Sequence, residues 1–139
     1  MTSLFIDTNV MIDFLGEREP FYNEIAKIIV LAEKQELKLT ASSLSFVNTF
    51  YVLSKAFDNK TLTEILSKFR ILCDVSDINK INIDKSLSSG FNDFEDAVQY
   101  YSALHHNCSI FITRNKKDFK DTDLPIMTPL EFLLSINKK

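Results

Sequence analysis

The sequence predicts an α/β protein, a three-layer α/β/α sandwich built on a central, mainly parallel sheet. Short apolar segments alternate with longer amphipathic segments along the whole chain. Two neighbouring parallel strands need a crossover between them, usually a helix, so we expect helices on both faces of the sheet. No segment is long enough to be a linker, and residues 1–139 are therefore predicted to form a single domain.

Five short apolar segments are the predicted strands. The first, SLFID, is too brief and too aliphatic at its centre for a surface helix. The segment CSIFIT has the clearest strand pattern of the five. The strands are expected over residues 3–7, 38–42, 73–77, 108–113 and 124–128.

The first two long helices are predicted from their start signals and their periodicity. Pro20 opens an amphipathic segment that runs to residue 37, with isoleucines at helical spacing. Ser42 or Ser43 can cap the next helix, which is expected to run to about Ala56.

The second half of the chain contains four more predicted helices. Residues 59–72 are amphipathic, and Thr61 with Glu64 matches a capping box. The remaining predictions are a short helix over residues 81–89, a strongly patterned helix over 93–106, a polar turn over 114–119 and a closing helix that starts at Pro129.

Composition excludes several classes of function. The chain has only two glycines, and it contains neither GxGxxG nor GxxxxGK[ST], so classical dinucleotide and P-loop nucleotide binding are not expected. Sixteen basic and 19 acidic residues give a formal charge of −3. A nucleic acid would therefore have to be held by a local basic patch.

Cysteine usage and hydropathy predict a cytoplasmic protein that does not contact a membrane. Cys73 and Cys108 are far apart and flanked by apolar residues, as expected of buried free thiols in a reducing compartment. The N-terminus lacks the order of a signal peptide, and no apolar run approaches the ~20 residues that span a bilayer.

Acidic residues at two predicted strand ends point to the same edge of the sheet. Asp7 ends the first strand, where it is either a helix cap or a ligand for a cation. Asp118 lies in the polar turn after CSIFIT, as a loop-capping acid or a functional one. Ligands of open α/β sheets bind beyond the carboxyl ends of the strands. Asp13, six residues after Asp7, is expected to be an exposed helix residue.

Asp96 is predicted to lie at or beside the helix face that packs on the sheet, because Tyr100 and Ala103 share its stripe. Capping is the alternative: Asn92 with Glu95, or Asp93 with Asp96, also matches a capping box. Carboxylates that converge at one edge repel one another unless a hard divalent cation neutralises them, and Mg²⁺ or Mn²⁺ suits such oxygen ligands. The chemistry favoured by that arrangement is phosphodiester hydrolysis.

Three motifs together resemble the PIN-domain family, close to the VapC-type toxin ribonucleases. They are FIDTNVMIDFL, DFEDAVQYYSALHHNCSIFITRNKKDF and IMTPLEFL, and the likeness spans nearly the whole chain. The resemblance implies a metal-dependent endoribonuclease for single-stranded or structured RNA, the toxin of a toxin–antitoxin pair, with an antitoxin as partner and often a homodimer. Asp7, Asp96 and Asp118 match the family's catalytic, metal-binding positions, and Asp93 and Glu95 are additional candidates.

One position departs from the family's pattern. PIN domains commonly carry a glutamate on the helix after the second strand, where this chain has Asn48, as in a subgroup of the family. An amide can ligate a metal or support a neighbouring ligand, but it has no negative charge. The alternative function is therefore a weakly active or inactive PIN fold that binds RNA or protein.

The remaining candidates support these ligands or contact RNA. Asn9, Asn48, Thr113 and Asn115 are expected to support the metal ligands. A basic cluster beside the acids would attract the RNA backbone; it comprises Arg114, Lys116, Lys117 and Lys120. Apolar helix faces, in IIVLA and FVNTFYVL among others, predict a homodimer.

Overall fold

Five parallel strands form one sheet, and the structure, a computed structural model, describes residues 1–137. The sheet order is β3-β2-β1-β4-β5, and every pair of neighbours is parallel. This confirms the predicted α/β class. The strands are β1 (Ser3–Ile6), β2 (Lys38–Ser42), β3 (Cys73–Ser76), β4 (Ile110–Ile112) and β5 (Ile126–Met127).

Helices cover both faces of the sheet, because alternate residues of a strand point to opposite sides. Leu4 and Ile6 pack in one hydrophobic cluster with Ile25 and Ile28, whereas Phe5 packs in another cluster on the opposite face. The helices are α1 (Thr8–Leu15), α2 (Tyr22–Glu33), α3 (Ser43–Leu53), α4 (Asn59–Leu72), α5 (Lys80–Leu87), α6 (Phe94–His105) and α7 (Pro129–Ile136).

Both predicted ends of helix α2 and the predicted cap of helix α4 are wrong, although α4 spans residues 59–72 as expected. Helix α2 begins two residues after Pro20, and it ends before Gln35, whose φ of 60° is left-handed and interrupts the helix. Helix α4 is capped by Asp58, whose side chain accepts a hydrogen bond of 2.8 Å from the backbone N–H of Thr61. The capping box predicted for Thr61 and Glu64 lies inside the helix, since the chain becomes helical one turn earlier than that motif requires.

Burial also corrects part of the predicted dimer surface. Ile28 and Ile29 of the IIVLA segment are buried in the core of this chain. Among the large apolar residues of that helix, only Val30 is markedly exposed. Helix α3 does present apolar side chains to solvent, with Val47 and Tyr51 both exposed. Of the two segments predicted to form the dimer surface, α3 therefore offers exposed apolar side chains and the isoleucine face of α2 does not.

Cys73 and Cys108 are free and buried, as predicted. Within residues 1–137, none of the helices is long and apolar enough to cross a membrane.

The parallel arrangement places the carboxyl ends of β1 and β4 side by side. Ile6 pairs with Ile112, and the backbone N–H of Asp7 donates to the carbonyl of Ile112 over 2.9 Å. Asp7 and Thr113 therefore leave neighbouring strands at the same edge, which is where the candidate site forms.

Candidate active site

Asp7 is a buried carboxylate that also caps a helix. It is the N-cap of α1, and its Oδ1 accepts from the backbone N–H of Thr8 over 2.8 Å. Its Oδ2 accepts from the hydroxyl of Thr113 over 2.9 Å. Burial raises the pKa of Asp7, while hydrogen bonds from Gln99, Thr113 and Thr8 oppose that increase. Both sequence interpretations thus apply to one side chain: Asp7 is a helix cap, and it lies at the predicted edge.

Gln99 is a site residue that sequence reasoning missed. Its side chain is fully buried, and Nε2 lies 3.0 Å from Oδ1 of Asp7 and 2.7 Å from Oγ of Ser45. The amide Oε1 accepts a hydrogen bond from Ser42. The available signal was a polar residue one turn after Asp96, on the helix face predicted to pack against the sheet.

Acidic residues surround Asp96 on the first turn of α6. Burial is the largest cause that raises the pKa of Asp96 to about 7, and the neighbouring charges of Asp93, Asp7, Asp118 and Glu95 raise it further. Asp93 caps α6, and its Oδ1 accepts from the backbone N–H of Asp96 over 3.1 Å. The predicted Asp93–Asp96 capping pair is therefore half formed, while the Asp96 carboxyl group lies among other acids.

The Asp118 side chain belongs to the same electrostatic group. Residues Lys116–Asp118 form a single turn of 3-10 helix after β4, where the sequence predicted a polar turn. Burial raises the pKa of Glu95, with Asp7 and Asp93 adding to the increase. The structure thus brings Asp7, Asp93, Glu95, Asp96 and Asp118 into one field of negative charge.

This group of acids fits a hydrated hard cation better than a tightly caged one. Within residues 1–137, no three acidic, histidine or cysteine side chains are close enough to form a ready-made metal site. Mg²⁺ usually keeps several waters and takes only one or two direct carboxylates, so wider spacing suits it. The neighbouring acids add to the increase that burial causes in the pKa of Asp96, and a divalent ion would offset their negative charge.

Asn48 contacts the acidic group directly. Its Nδ2 lies 3.4 Å from Oε1 of Glu95, so the amide of α3 donates towards the first turn of α6. This hydrogen bond opposes the increase in the pKa of Glu95. The position that commonly holds an acid in the family therefore supports an acid here.

Arg114, which was predicted to contact RNA, pairs with an acid of α1. Its Nε lies 2.6 Å from Oδ2 of Asp13, and its guanidinium lies 4.0 Å from the ring centroid of Phe21. Asp13 is only 1% exposed, so the expectation of an exposed residue is wrong. The guanidinium of Arg114 compensates the charge of the buried Asp13 carboxylate, so Arg114 already has an acidic partner within the protein.

The other basic residues of the predicted cluster differ in their ion pairing and exposure. Lys116 forms an exposed ion pair with Glu131 over 2.9 Å. Lys117 and Lys120 are exposed, and they line an open cavity of about 770 Å³ together with Asp93 and Asp118. A chain of phosphates in this cavity would thus lie against lysines and acids at once.

Two predicted supporting residues hold the loop after β4. Asn9 Nδ2 donates to Oγ1 of Thr113 over 3.3 Å, and its Oδ1 accepts from the backbone N–H of Arg114 over 3.4 Å. Asn115 contributes its backbone N–H, which donates to Oγ1 of Thr113 over 3.2 Å. Asn9 and Thr113 thus act on the site through side chains, and Asn115 through its main chain.

The sequence was also compared with known proteins. Residues 3–117 match the family model described as PIN domain. The chain belongs to the PIN-domain family. This PIN domain is 33% identical over 136 residues to Ribonuclease VapC1 of Aquifex aeolicus, an alignment that covers 93% of this chain and 92% of the relative.

Solved structures share the fold of this PIN domain. A DNA-bound VapBC from Salmonella typhimurium matches with a TM-score of 0.69 at 16% identity, over 93% of this chain and 99% of that one. A toxin–antitoxin complex from Klebsiella pneumoniae matches with a TM-score of 0.65 at 21% identity, over 92% and 98% of the two chains. At these identities the likeness concerns the fold.

Proposed function

We propose that this PIN domain is a metal-dependent endoribonuclease that hydrolyses RNA phosphodiester bonds, and that it is the toxin of a toxin–antitoxin pair. The observation that carries the proposal is the convergence of four acids on Asp96, whose charges add to the effect of burial and raise its pKa to about 7. The name of the relative from Aquifex aeolicus, Ribonuclease VapC1, supports the same activity.

Asp7, Asp96 and Asp118 would hold Mg²⁺ or Mn²⁺, with Asp93 and Glu95 close by. The ion, when bound, supplies an activated water and stabilises the charge that develops at phosphorus. A bound cation would offset the surrounding negative charge, so Asp96, whose pKa is raised by burial and by the neighbouring carboxylates, would hold it in the ionised form. Thr113 and Thr8 keep Asp7 oriented through their hydrogen bonds.

Lys117 and Lys120 would draw single-stranded or structured RNA into the cavity beside Asp93 and Asp118. The net charge of −3 opposes RNA binding elsewhere on the surface, so these lysines carry the attraction. Lys116 contributes less because Glu131 already pairs with it.

An antitoxin protein and a second copy of the chain are the proposed partners. The structures from Salmonella typhimurium and Klebsiella pneumoniae are described as VapBC and as a toxin–antitoxin complex, which supports an antitoxin for this chain. The buried free thiols of Cys73 and Cys108 support a function in the reducing cytoplasm.

A second candidate function is an RNA-binding or protein-interaction module with weak or no cleavage. The observation that favours it is Asn48, which places an uncharged amide where the family commonly has an acid. The two candidates differ in metal-dependent cleavage. A ribonuclease cleaves RNA when the metal is bound, whereas a binding module binds RNA without cleaving it.

The deciding experiment compares Asp7→Asn and Asp96→Asn with wild type in a Mn²⁺-dependent RNA cleavage assay. Both changes preserve shape and remove a charge. We expect each to reduce cleavage at least about 100-fold, more than is typical for residues that only support metal ligands. Asp84→Asn, an exposed acid on α5, is the matched control and should cleave like wild type.

Circular dichroism has to show that both variants are folded. Wild-type cleavage by folded Asp7→Asn or Asp96→Asn would exclude the proposed site. RNA binding without cleavage by the wild-type protein at saturating Mn²⁺ would favour the binding module.

A further inference from the structure

Gln99 holds Asp7 in one orientation, and the hydrogen bonds around it define which way its amide points. The Oγ of Ser42 accepts from the backbone N–H of Ser45 over 3.0 Å, and the Ser42 hydroxyl lies close enough to donate to Oε1 of Gln99. With Oε1 on that side, Nε2 faces Asp7 over 3.0 Å. A fully buried amide with both ends engaged has little freedom to turn.

The two oxygens of Asp7 are therefore not equivalent. Oδ1 accepts from the backbone N–H of Thr8 and from Nε2 of Gln99, at 2.8 and 3.0 Å. These two bonds occupy its two in-plane lone pairs. Oδ2 accepts from the hydroxyl of Thr113 alone and keeps one lone pair. Asp7 can thus offer a cation a single oxygen.

We propose that Gln99 is a positioning residue that makes Asp7 a single-oxygen metal ligand. This inference rests on the proposed function, since it assumes that Asp7 binds a metal ion. One-oxygen ligation suits Mg²⁺ and Mn²⁺, which favour six-coordinate sites, whereas Ca²⁺ accepts six to eight oxygens and often a bidentate carboxylate. Gln99 therefore contributes to discrimination between these ions.

Helix α6 carries both Gln99 and Asp96, so it links the position of Asp96 to that of Asp7. Gln99 follows Asp96 by three residues, so the two side chains lie on neighbouring turns of one helix. The contact between Gln99 and Asp7 consequently fixes α6 against the end of β1, and with it the relative placement of Asp96 and Asp7. A loss of Gln99 affects both the orientation of Asp7 and this spacing.

The test uses Gln99→Met, which has similar length and no donor, and Gln99→Leu, which is smaller and also has no donor. Ser102→Ala is the matched control. Ser102 lies one turn further along α6, is equally buried, and donates to the carbonyl of Asp77 instead of to the site. If Gln99→Met does not fold, Gln99→Leu provides the same comparison.

Calorimetry with Mn²⁺ and with Ca²⁺ gives the main readout, and crystal structures of the metal-free variants give the second. We expect the Mn²⁺ Kd to rise about tenfold or more in the Gln99 variants, in the range typical for residues that support metal ligands. The Ca²⁺ Kd should change less, so that the preference for Mn²⁺ decreases. Asp7 should adopt a different orientation or several orientations. Saturating Mn²⁺ should restore kcat for RNA cleavage in part.

A folded Gln99 variant with an unchanged Asp7 orientation and an Mn²⁺ Kd within twofold of Ser102→Ala would overturn the inference. Equal weakening by Ser102→Ala would overturn it too, because the effect would then be one of general packing. A wild-type protein that binds no Mn²⁺ while Asp7 still reorients in Gln99→Met would reject the proposed function and retain the positioning of Asp7 by Gln99.

Discussion

Asp96 lies in an electrostatic conflict at the residue scale. Its pKa is raised to about 7, first by burial and then by Asp93, Asp7, Asp118 and Glu95. A carboxyl group whose folded-state pKa lies above its unfolded value stabilises the folded state fully below the unfolded pKa, near 3.8. That contribution is lost as the pH rises through about 7. The metal-free protein should accordingly become less stable from pH 4 to pH 8.

Asp96→Asn should melt at a higher temperature than wild type at pH 8 without metal. The change removes one of the repelling charges, whereas most substitutions destabilise. A gain of 1 kcal/mol would raise the Tm by about 4 °C in a chain of this size. Thermal melts from pH 4 to pH 8, with and without Mn²⁺, measure both effects. The Tm of the variant should depend less on pH than the Tm of wild type. Mn²⁺ should raise the Tm of the variant much less than it raises that of wild type.

Asp84→Asn is again the control for the loss of an exposed charge. Equal melting temperatures and equal Mn²⁺ responses for Asp96→Asn and wild type would remove the metal site from α6.

Asn48→Glu should have opposite effects on the metal-free and metal-bound protein. The new carboxylate would lie beside Glu95, which Asn48 now contacts over 3.4 Å, and would add to the negative charge around Asp96. We expect a lower Tm without metal and a larger rise in Tm with Mn²⁺. Asn48→Ala separates the loss of the hydrogen bond from the gain of charge. A Mn²⁺ response equal in Asn48→Glu and Asn48→Ala would show that this position does not face the ion.

At the scale of elements, the ion pair of Asp13 and Arg114 joins α1 to the loop after β4. Burial raises the pKa of Asp13, while the hydrogen bond and charge of Arg114 oppose the increase. Removal of one partner leaves the other charge uncompensated beside the core. The pair therefore fastens the turn that carries Asp118 to α1, the helix that Asp7 caps.

Asp13→Asn and Arg114→Gln should each lower the free energy of unfolding by about 2 kcal/mol, less than for a fully buried pair because Arg114 is partly exposed. The double variant should lose less than the sum, with a coupling of roughly 1 kcal/mol. Urea unfolding of the four proteins measures this. Additive losses would show that the pair contributes no interaction energy.

Helices and strands were predictable because their signals are local, and the side-chain contacts between them were not. The residues that start helices α3 and α7, and the apolar pattern of α6, follow from short stretches of sequence. Gln99 and Asp13 were missed or misplaced because their roles depend on partners that the fold supplies from 92 and 101 residues away. The acids at the sheet edge were predictable, since parallel strands bring their carboxyl ends together.

At the scale of the whole molecule, α3 offers a surface for a second copy. Val47 and Tyr51 lie one turn apart and are 66% and 68% exposed, although both are apolar or largely so. Adjacent exposed apolar residues of this kind mark interaction surfaces. A homodimer with a twofold axis would place α3 of one copy near α3 of the other.

Light scattering at tens of micromolar should give the mass of a dimer. Val47→Glu and Tyr51→Glu should each shift the protein towards the mass of a monomer, because a charge in an apolar interface is costly. Leu87→Glu on α5, where Leu87 is 70% exposed, is the control and should remain a dimer. A monomer mass for the unaltered chain would reject this interface, and equal masses for all variants would place the contact elsewhere.

The central place of β1 has a consequence for the protein while the ribosome is still making it. The first strand to leave the ribosome lies between β2 and β4, and Asp7 meets Thr113 only across 106 residues of chain. Long-range pairing of this kind forms late, since most of the chain must be present first. In a nascent chain that has not yet reached residue 110, β1 has no β4 to pair with and Asp7 is not yet oriented. The nuclease therefore stays incomplete beside the RNA that encodes it until residue 113 has been made.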